Sequence, residues 1–188
     1  MKRSFGAVTL IVPAPVWCVG SYDKKGRPNV MTIAWGGICC SEPPCVTISL
    51  RKATYTYGNI MERKAYTLSV PSDKHIREAD YFGITSGRDV DKFKETGLTP
   101  VVSENVDAPY VGEFPMALEC NVIHHYEIGL HTQFIGEILD VKIEEGVLNG
   151  EGDPDMEKIR PFLFGLRPPK YYNIGDFGGK AFDIGRKD

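Results

Sequence analysis

Hydrophobic residues recur along this chain in short alternating or β-branched runs, separated by turn-forming residues. Such runs fall at about 6–12, 15–22, 29–35, 45–50, 65–71, 117–128, 133–144 and 170–174. Each predicts a strand, because alternation puts every second side chain on one face of a sheet. Between them, Asp23-Lys24-Lys25-Gly26 reads as a hairpin turn and Ser41-Glu42-Pro43-Pro44 as a rigid loop. Helical spacing is rarer. It predicts a helix over 53–62, capped by the hydroxyl of Thr54 or Thr56, and a second over 74–83 with Ile76, Ala79, Tyr81 and Phe82 at near-helical spacing and Ser72 or Asp73 as cap. A third over 89–96 ends at Gly97, and a fourth over 154–159 stops before Pro161. Many short strands with few helices predict a mainly β fold of barrel type rather than a doubly wound sheet.

Composition narrows the class. With 188 residues, 42% hydrophobic and 25% charged, the chain is expected to form one globular domain over 1–188. A net charge of −3 argues against a general nucleic-acid binder, which would carry a basic stripe. No apolar run reaches the roughly 18 residues of a membrane span. The N-terminus has Lys2 and Arg3 before an apolar run, but Pro13 and Pro15 interrupt it and no small-residue cleavage site follows, so it reads as a first strand of a cytoplasmic protein. Five cysteines, with no C-x-x-C, fit neither a disulfide framework nor a zinc or iron–sulfur site, and suit a reducing compartment. Cys39 and Cys40 are adjacent; they read either as one buried and one exposed thiol on alternating sides of a strand end, or as holding a redox-active or ligand-contacting thiol. His124 and His125 alternate faces of a strand without an acidic partner, so no metal is expected. From about 161 to the end, six aromatics stand amid Gly and Pro; such a tail is expected to cover the barrel, a cofactor or a partner subunit.

The richest chemistry lies between Arg27 and Thr56. An aromatic-bearing strand leads into a second strand, which opens onto Arg51, Lys52, Thr54 and Thr56. Two cations and two hydroxyls in one turn suit a phosphate, through charge-assisted donors and backbone N–H groups. No G-x-G-x-x-G follows a strand and no Walker A motif is present, which removes the commonest nucleotide sites.

Five stretches, in order and spacing, resemble the flavin reductase-like FMN-binding proteins, and within that family the flavoredoxins most of all. They are N-V-M-T-I-A-W at 29–35, S-E-P-P at 41–44, S-L-R-K-A-T-Y-T at 49–56, S-G-R-D-V-D-K-F at 86–93 and G-L-H-T-Q-F-I-G-E-I at 129–138. The likeness runs from about Pro13 to Gly175. It implies a split β-barrel that forms a homodimer and holds FMN non-covalently at or near the subunit interface. By position it sets the isoalloxazine against Asn29, Met31, Thr32, Ile33 and Trp35, and the phosphate at Arg51, Lys52, Thr54 and Thr56. It brings Ser86, Gly87 and Lys92 back to the flavin, and lays Phe164 over the ring.

Simpler readings stand beside these: Trp35 as a core residue, Arg51 and Lys52 as a solvated pair, Lys92 on a solvated helix face, and Phe164 as packing. The family's G-D-H reads Gly129-Leu130-His131 here. His131 remains as a substrate- or flavin-proximal candidate, but the acid that could orient it is lost, which weakens the expectation of NAD(P)H use. The leading reading is therefore an electron-transfer flavoprotein whose acidic surface docks a redox partner protein. An NAD(P)H-dependent flavin reductase and a non-enzymatic flavin-binding or sensor module are the alternatives.

Overall fold

The computed structural model describes residues 1–186. In chain order the strands and helices are β1 (Ala14–Pro15), β2 (Trp17–Tyr22), β3 (Pro28–Ile33), β4 (Gly36–Ser41), β5 (Pro44–Arg51), α1 (Tyr55–Arg63), β6 (Ala65–Val70), α2 (Ile76–Ile84), α3 (Lys92–Thr96), β7 (Pro100–Val102), β8 (Pro109–Val111), β9 (Met116–Ile128), β10 (His131–Ile143), α4 (Met156–Ile159), β11 (Phe162–Leu166) and β12 (Pro169–Asn173). Seven strands form one sheet in the order β3-β2-β6-β9-β10-β5-β4. Its two outermost strands, β3 and β4, are consecutive in the chain and joined only by Ala34 and Trp35. A sheet whose edges are linked so closely must curl round on itself, and the Ser49 amide bonds the Trp35 carbonyl at 2.9 Å across that link. The result is the split barrel expected from the sequence.

Alternation fills the barrel. Val46, Ile48 and Leu50 of β5 point inward with Val19, Ile33, Tyr66, Leu68, Cys120 and Phe134. Gly136 keeps room for Tyr66: a Cβ there would lie 2.3 Å from the Tyr66 hydroxyl, which bonds the Val46 carbonyl at 3.2 Å. A second core lies outside the wall. Val16, Cys18 and Val30 meet Ala79 and Phe82 of α2, Phe93 of α3, and Phe162 of β11. Burial on both faces explains why β2 reads as an apolar run rather than a clean alternation. This outer core fixes the end of α2, and with it the segment that follows, against β3.

Several expectations need correcting. Residues 6–12 form no strand; the arm 1–13 is exposed and joins no sheet. Gly36–Ser41, outside every strand expected from the sequence, is β4; its glycines and cysteines lack the β-branched signal, yet β5 pairs with it. The short strands β7, β8 and β11 carried no usable pattern. The tail is partly ordered: β1, β11 and β12 make a three-stranded sheet that packs Phe164 and Tyr171 against the outer core. Beyond Asn173, residues 174–186 are exposed, and the last two residues of the expected tail lie outside the described residues.

Candidate functional site

Where β3, β5 and the end of α2 meet, two cavities of about 350 and 540 Å³ share Met31, Arg51, Thr54 and Gly83 in their walls and so form one groove. One end is polar. The other is mostly apolar, walled by Ile33, Trp35, Leu50, Leu130 and Phe164, with His131 at the margin.

The polar end is built on the start of α1. Thr54 caps the helix, accepting from the Tyr57 amide at 3.3 Å and donating to the Arg51 carbonyl at 2.9 Å. First-turn amides have no intrahelical acceptor, and α1 has no acidic residue in its first turn, so its positive end is open to an anion. Arg51 lies at the junction of the two cavities, and its guanidinium makes no ion pair among the described residues. Arg88 lines the same end; one of its nitrogens donates to the Ala53 carbonyl at 2.8 Å and its guanidinium stands 5.5 Å over the Tyr55 ring. Arg27 stacks on that ring at 5.6 Å and bonds both the Tyr55 hydroxyl and the Gly87 carbonyl at 2.9 Å. Burial works against the Asp23 carboxylate below them, but donors from the Arg27 amide, the Tyr55 hydroxyl and the Lys25 amide outweigh it and hold its pKa below the ordinary value. This network ties the 85–91 loop to α1.

Asn29 is buried in the polar end. Its amide nitrogen donates to Thr56 Oγ1 at 2.9 Å and Ser21 Oγ at 3.4 Å, while Oδ1, beside Gly87, has no partner. An unpartnered buried acceptor costs roughly 1–3 kcal/mol, so a donor from a ligand would relieve it. Lys92 is also in this wall and is 3% exposed, its Nζ donating to the Phe82 carbonyl at 2.7 Å. Burial lowers its pKa to about 8. Between that value and the ordinary 10.5, the folded chain holds Lys92 neutral while the unfolded chain still protonates it. Unfolding then takes up a proton, and stability rises with pH through that window. Urea unfolding of wild type and Lys92→Met should diverge from pH 8 to pH 10, wild type gaining up to about 3 kcal/mol on the variant. A constant difference would remove the buried charge from the account.

The groove thus gathers Asn29, Met31, Thr32, Ile33, Trp35, Arg51, Thr54, Thr56, Ser86, Gly87, Lys92, His131 and Phe164. Several stand differently from the sequence reading. Asn29 belongs to the polar end rather than the apolar one. The Thr32 hydroxyl is spent on the Ala79 carbonyl, so it anchors α2. Trp35 is 43% exposed and stacks on His131, with ring centroids 6.3 Å apart and planes 8° from parallel; it is not a core residue. Lys92 is buried rather than on a solvated face. Lys52 lies outside the groove: β5 ends at Arg51, Lys52 stands in the turn that follows, and its Nζ pairs with Glu127 at 2.7 Å. Sequence reasoning passed over Arg27, Tyr55 and Arg88. Arg88 had a visible signal, a cation directly after Ser86-Gly87.

Residues 9–167 match the flavin reductase like domain, and the chain belongs to that family. Flavoredoxin of Desulfovibrio vulgaris (Miyazaki F) is 55% identical, with a TM-score of 0.95 over 99% of this chain and 100% of that one. Flavoredoxin from Methanosarcina acetivorans is 28% identical, with a TM-score of 0.91 over 99% and 98%. An uncharacterised protein of Archaeoglobus fulgidus is 30% identical over 139 residues, 74% of this chain and 78% of that relative.

Proposed function

We propose that this protein holds FMN in the groove and serves as a flavoredoxin-like electron carrier. The observation that carries this reading is the groove's division: a mostly apolar slot of about 540 Å³, continuous with a cradle of helix amides, Arg51 and Arg88 for a phosphate. The unpartnered Asn29 Oδ1 and the close floor at Gly87 also fit a polar chain running between ring and phosphate. When bound, FMN supplies one- and two-electron redox chemistry. Arg51, Arg88 and the start of α1 would hold the phosphate, with Thr54, Thr56 and Ser86 beside it. Met31, Ile33, Trp35 and Phe164 would exclude water from the ring. Lys92 would bring positive charge to the polar wall at neutral pH. His131, held against Trp35, would orient that ring rather than move a proton.

The whole chain is read as one domain. A homodimer is supported by the solvent-facing side chains of β9, where Ile123, Tyr126 and Ile128 are all exposed apolar residues on one strand. Among the described residues no helix is long and apolar enough to cross a membrane; free cysteines and the family likeness support a cytoplasmic site with a redox protein as partner. An NAD(P)H-dependent reductase is the second reading, favoured by the retained His131 at the groove's open margin.

Anaerobic mixing separates them. The purified protein should be yellow, its absorption band should bleach within seconds on adding a reduced iron–sulfur protein, and it should persist for minutes with NADH or NADPH. Rapid bleaching by either nicotinamide favours the reductase, and a colourless protein that stays so with added FMN removes both. A monomer by light scattering removes the dimer.

A further inference from the structure

The β4–β5 hairpin gathers thiols that the groove does not use. Cys40 is the register partner of Cys45 and Ile38 that of Val46, so Cys39 is the extra residue of a β-bulge. A bulge sets two residues against one; Cys39 is left unpaired, and Cys40 stands directly opposite Cys45. Directly opposed antiparallel positions share a face and have Cα atoms about 4.5 or 5.5 Å apart. Both separations lie within the roughly 4.4–6.8 Å that a disulfide spans. Accessibility is divided between the partners. Cys40 is exposed, with its sulfur 3.3 Å from the Glu42 carbonyl, whereas Cys45 is 2% exposed. Burial, then the neighbouring Cys39 and Cys40, pushes the Cys45 thiol pKa up. Cys45 is thus shielded from direct attack, yet is paired across the ladder with the exposed Cys40.

We propose that Cys40 and Cys45 form a reversible redox pair oxidised by hydroperoxides. The Cys40 thiolate attacks the peroxide O–O bond, giving a sulfenic acid at Cys40 and releasing water or an alcohol. The Cys45 sulfur then displaces the hydroxyl group, its proton leaving with that group as water, and the S–S bond forms. Two thiols lose two electrons and two protons in total, and the peroxide is reduced. An external dithiol reverses the bond by exchange through a mixed disulfide. Such a bond would clip β4 to β5 a few residues beyond Trp35, where the barrel closes beside the groove.

The test uses the wild-type protein. After brief hydrogen peroxide treatment, open thiols are blocked with iodoacetamide, disulfides are reduced, and the thiols released are labelled with N-ethylmaleimide. Peptide fragmentation should find the second label on Cys40 and Cys45 and the first on Cys39. Dithiothreitol added before blocking should return all three to the first label. The second label on Cys39 and Cys40, its absence from the hairpin, or a cross-link between two copies on a non-reducing gel would each overturn the proposal. In Cys45→Ser, the Cys40 sulfenic acid has no resolving thiol, so its dimedone adduct should rise about fivefold or more over wild type; an equal adduct would also overturn it.

Discussion

Replacing Arg51 by Ala should weaken FMN binding about ten- to a hundredfold, while replacing its neighbour Lys52 should change it by no more than about twofold. A hydrogen bond to a charged group contributes about 1.5–3 kcal/mol, and each 1.4 kcal/mol is about a factor of ten. Arg51 has that energy to give: it lies where the two cavities join and has no acidic partner among the described residues. Lys52 is held by Glu127 at 2.7 Å on the far side, both side chains largely exposed, an arrangement of little energetic weight. Riboflavin sharpens the comparison, because it keeps the ring and lacks the phosphate. Titration of apoprotein by flavin fluorescence should show the Arg51→Ala loss for FMN and almost none for riboflavin. Equal losses for both ligands would move Arg51 from the phosphate to the ring. A large loss in Lys52→Ala would mean that the Glu127 pair opens when ligand binds.

The contrast between these two neighbours also marks what the sequence could carry. The strand pattern was legible wherever β-branched residues alternate, as in β5 and β10, and it led to a barrel because helical spacing was scarce. The turn at 51–56 was legible as chemistry, since cations and hydroxyls together have few structural uses. Which of Arg51 and Lys52 faces inward was not, because that depends on where β5 ends, and a strand end carries no mark of its own. Lys92 sits in a run of charges that suggests water, and only the packing of Phe82 and Phe93 buries it. The family likeness set Asn29 at the ring together with the rest of its strand; its hydrogen bond to Thr56 spans 27 positions and is invisible locally. The same holds for β4, whose pairing is dictated by β5 rather than by its own Gly-Gly-Ile-Cys-Cys-Ser.

Gly87→Ala should both destabilise the apoprotein, by about 1–3 kcal/mol, and lower FMN affinity at least about tenfold. A Cβ at this position would lie 2.0 Å from Asn29 Oδ1 and 2.9 Å from Tyr55 Cδ1. Neither neighbour can yield. Asn29 is 3% exposed and pinned to Thr56, and the Tyr55 ring is contacted by the guanidinium groups of Arg27 and Arg88, with its hydroxyl on Asp23 at 2.8 Å. The 85–91 loop would therefore move outward, breaking the bond from Arg27 to the Gly87 carbonyl and carrying Arg88 and Ser86 away from the start of α1. Gly83 is the control. It too lines the groove, but its Cβ would meet only the Thr32 Cβ, at an ordinary 3.5 Å. As a helix residue it should tolerate Ala, with apoprotein stability unchanged or raised by up to about 1 kcal/mol. Urea unfolding of both apoproteins reads the first effect and fluorescence titration the second. If Gly87→Ala unfolds like wild type and binds FMN equally well, the loop is free to shift without cost, and the cradle described between Asn29, Arg88 and α1 is not what holds the phosphate.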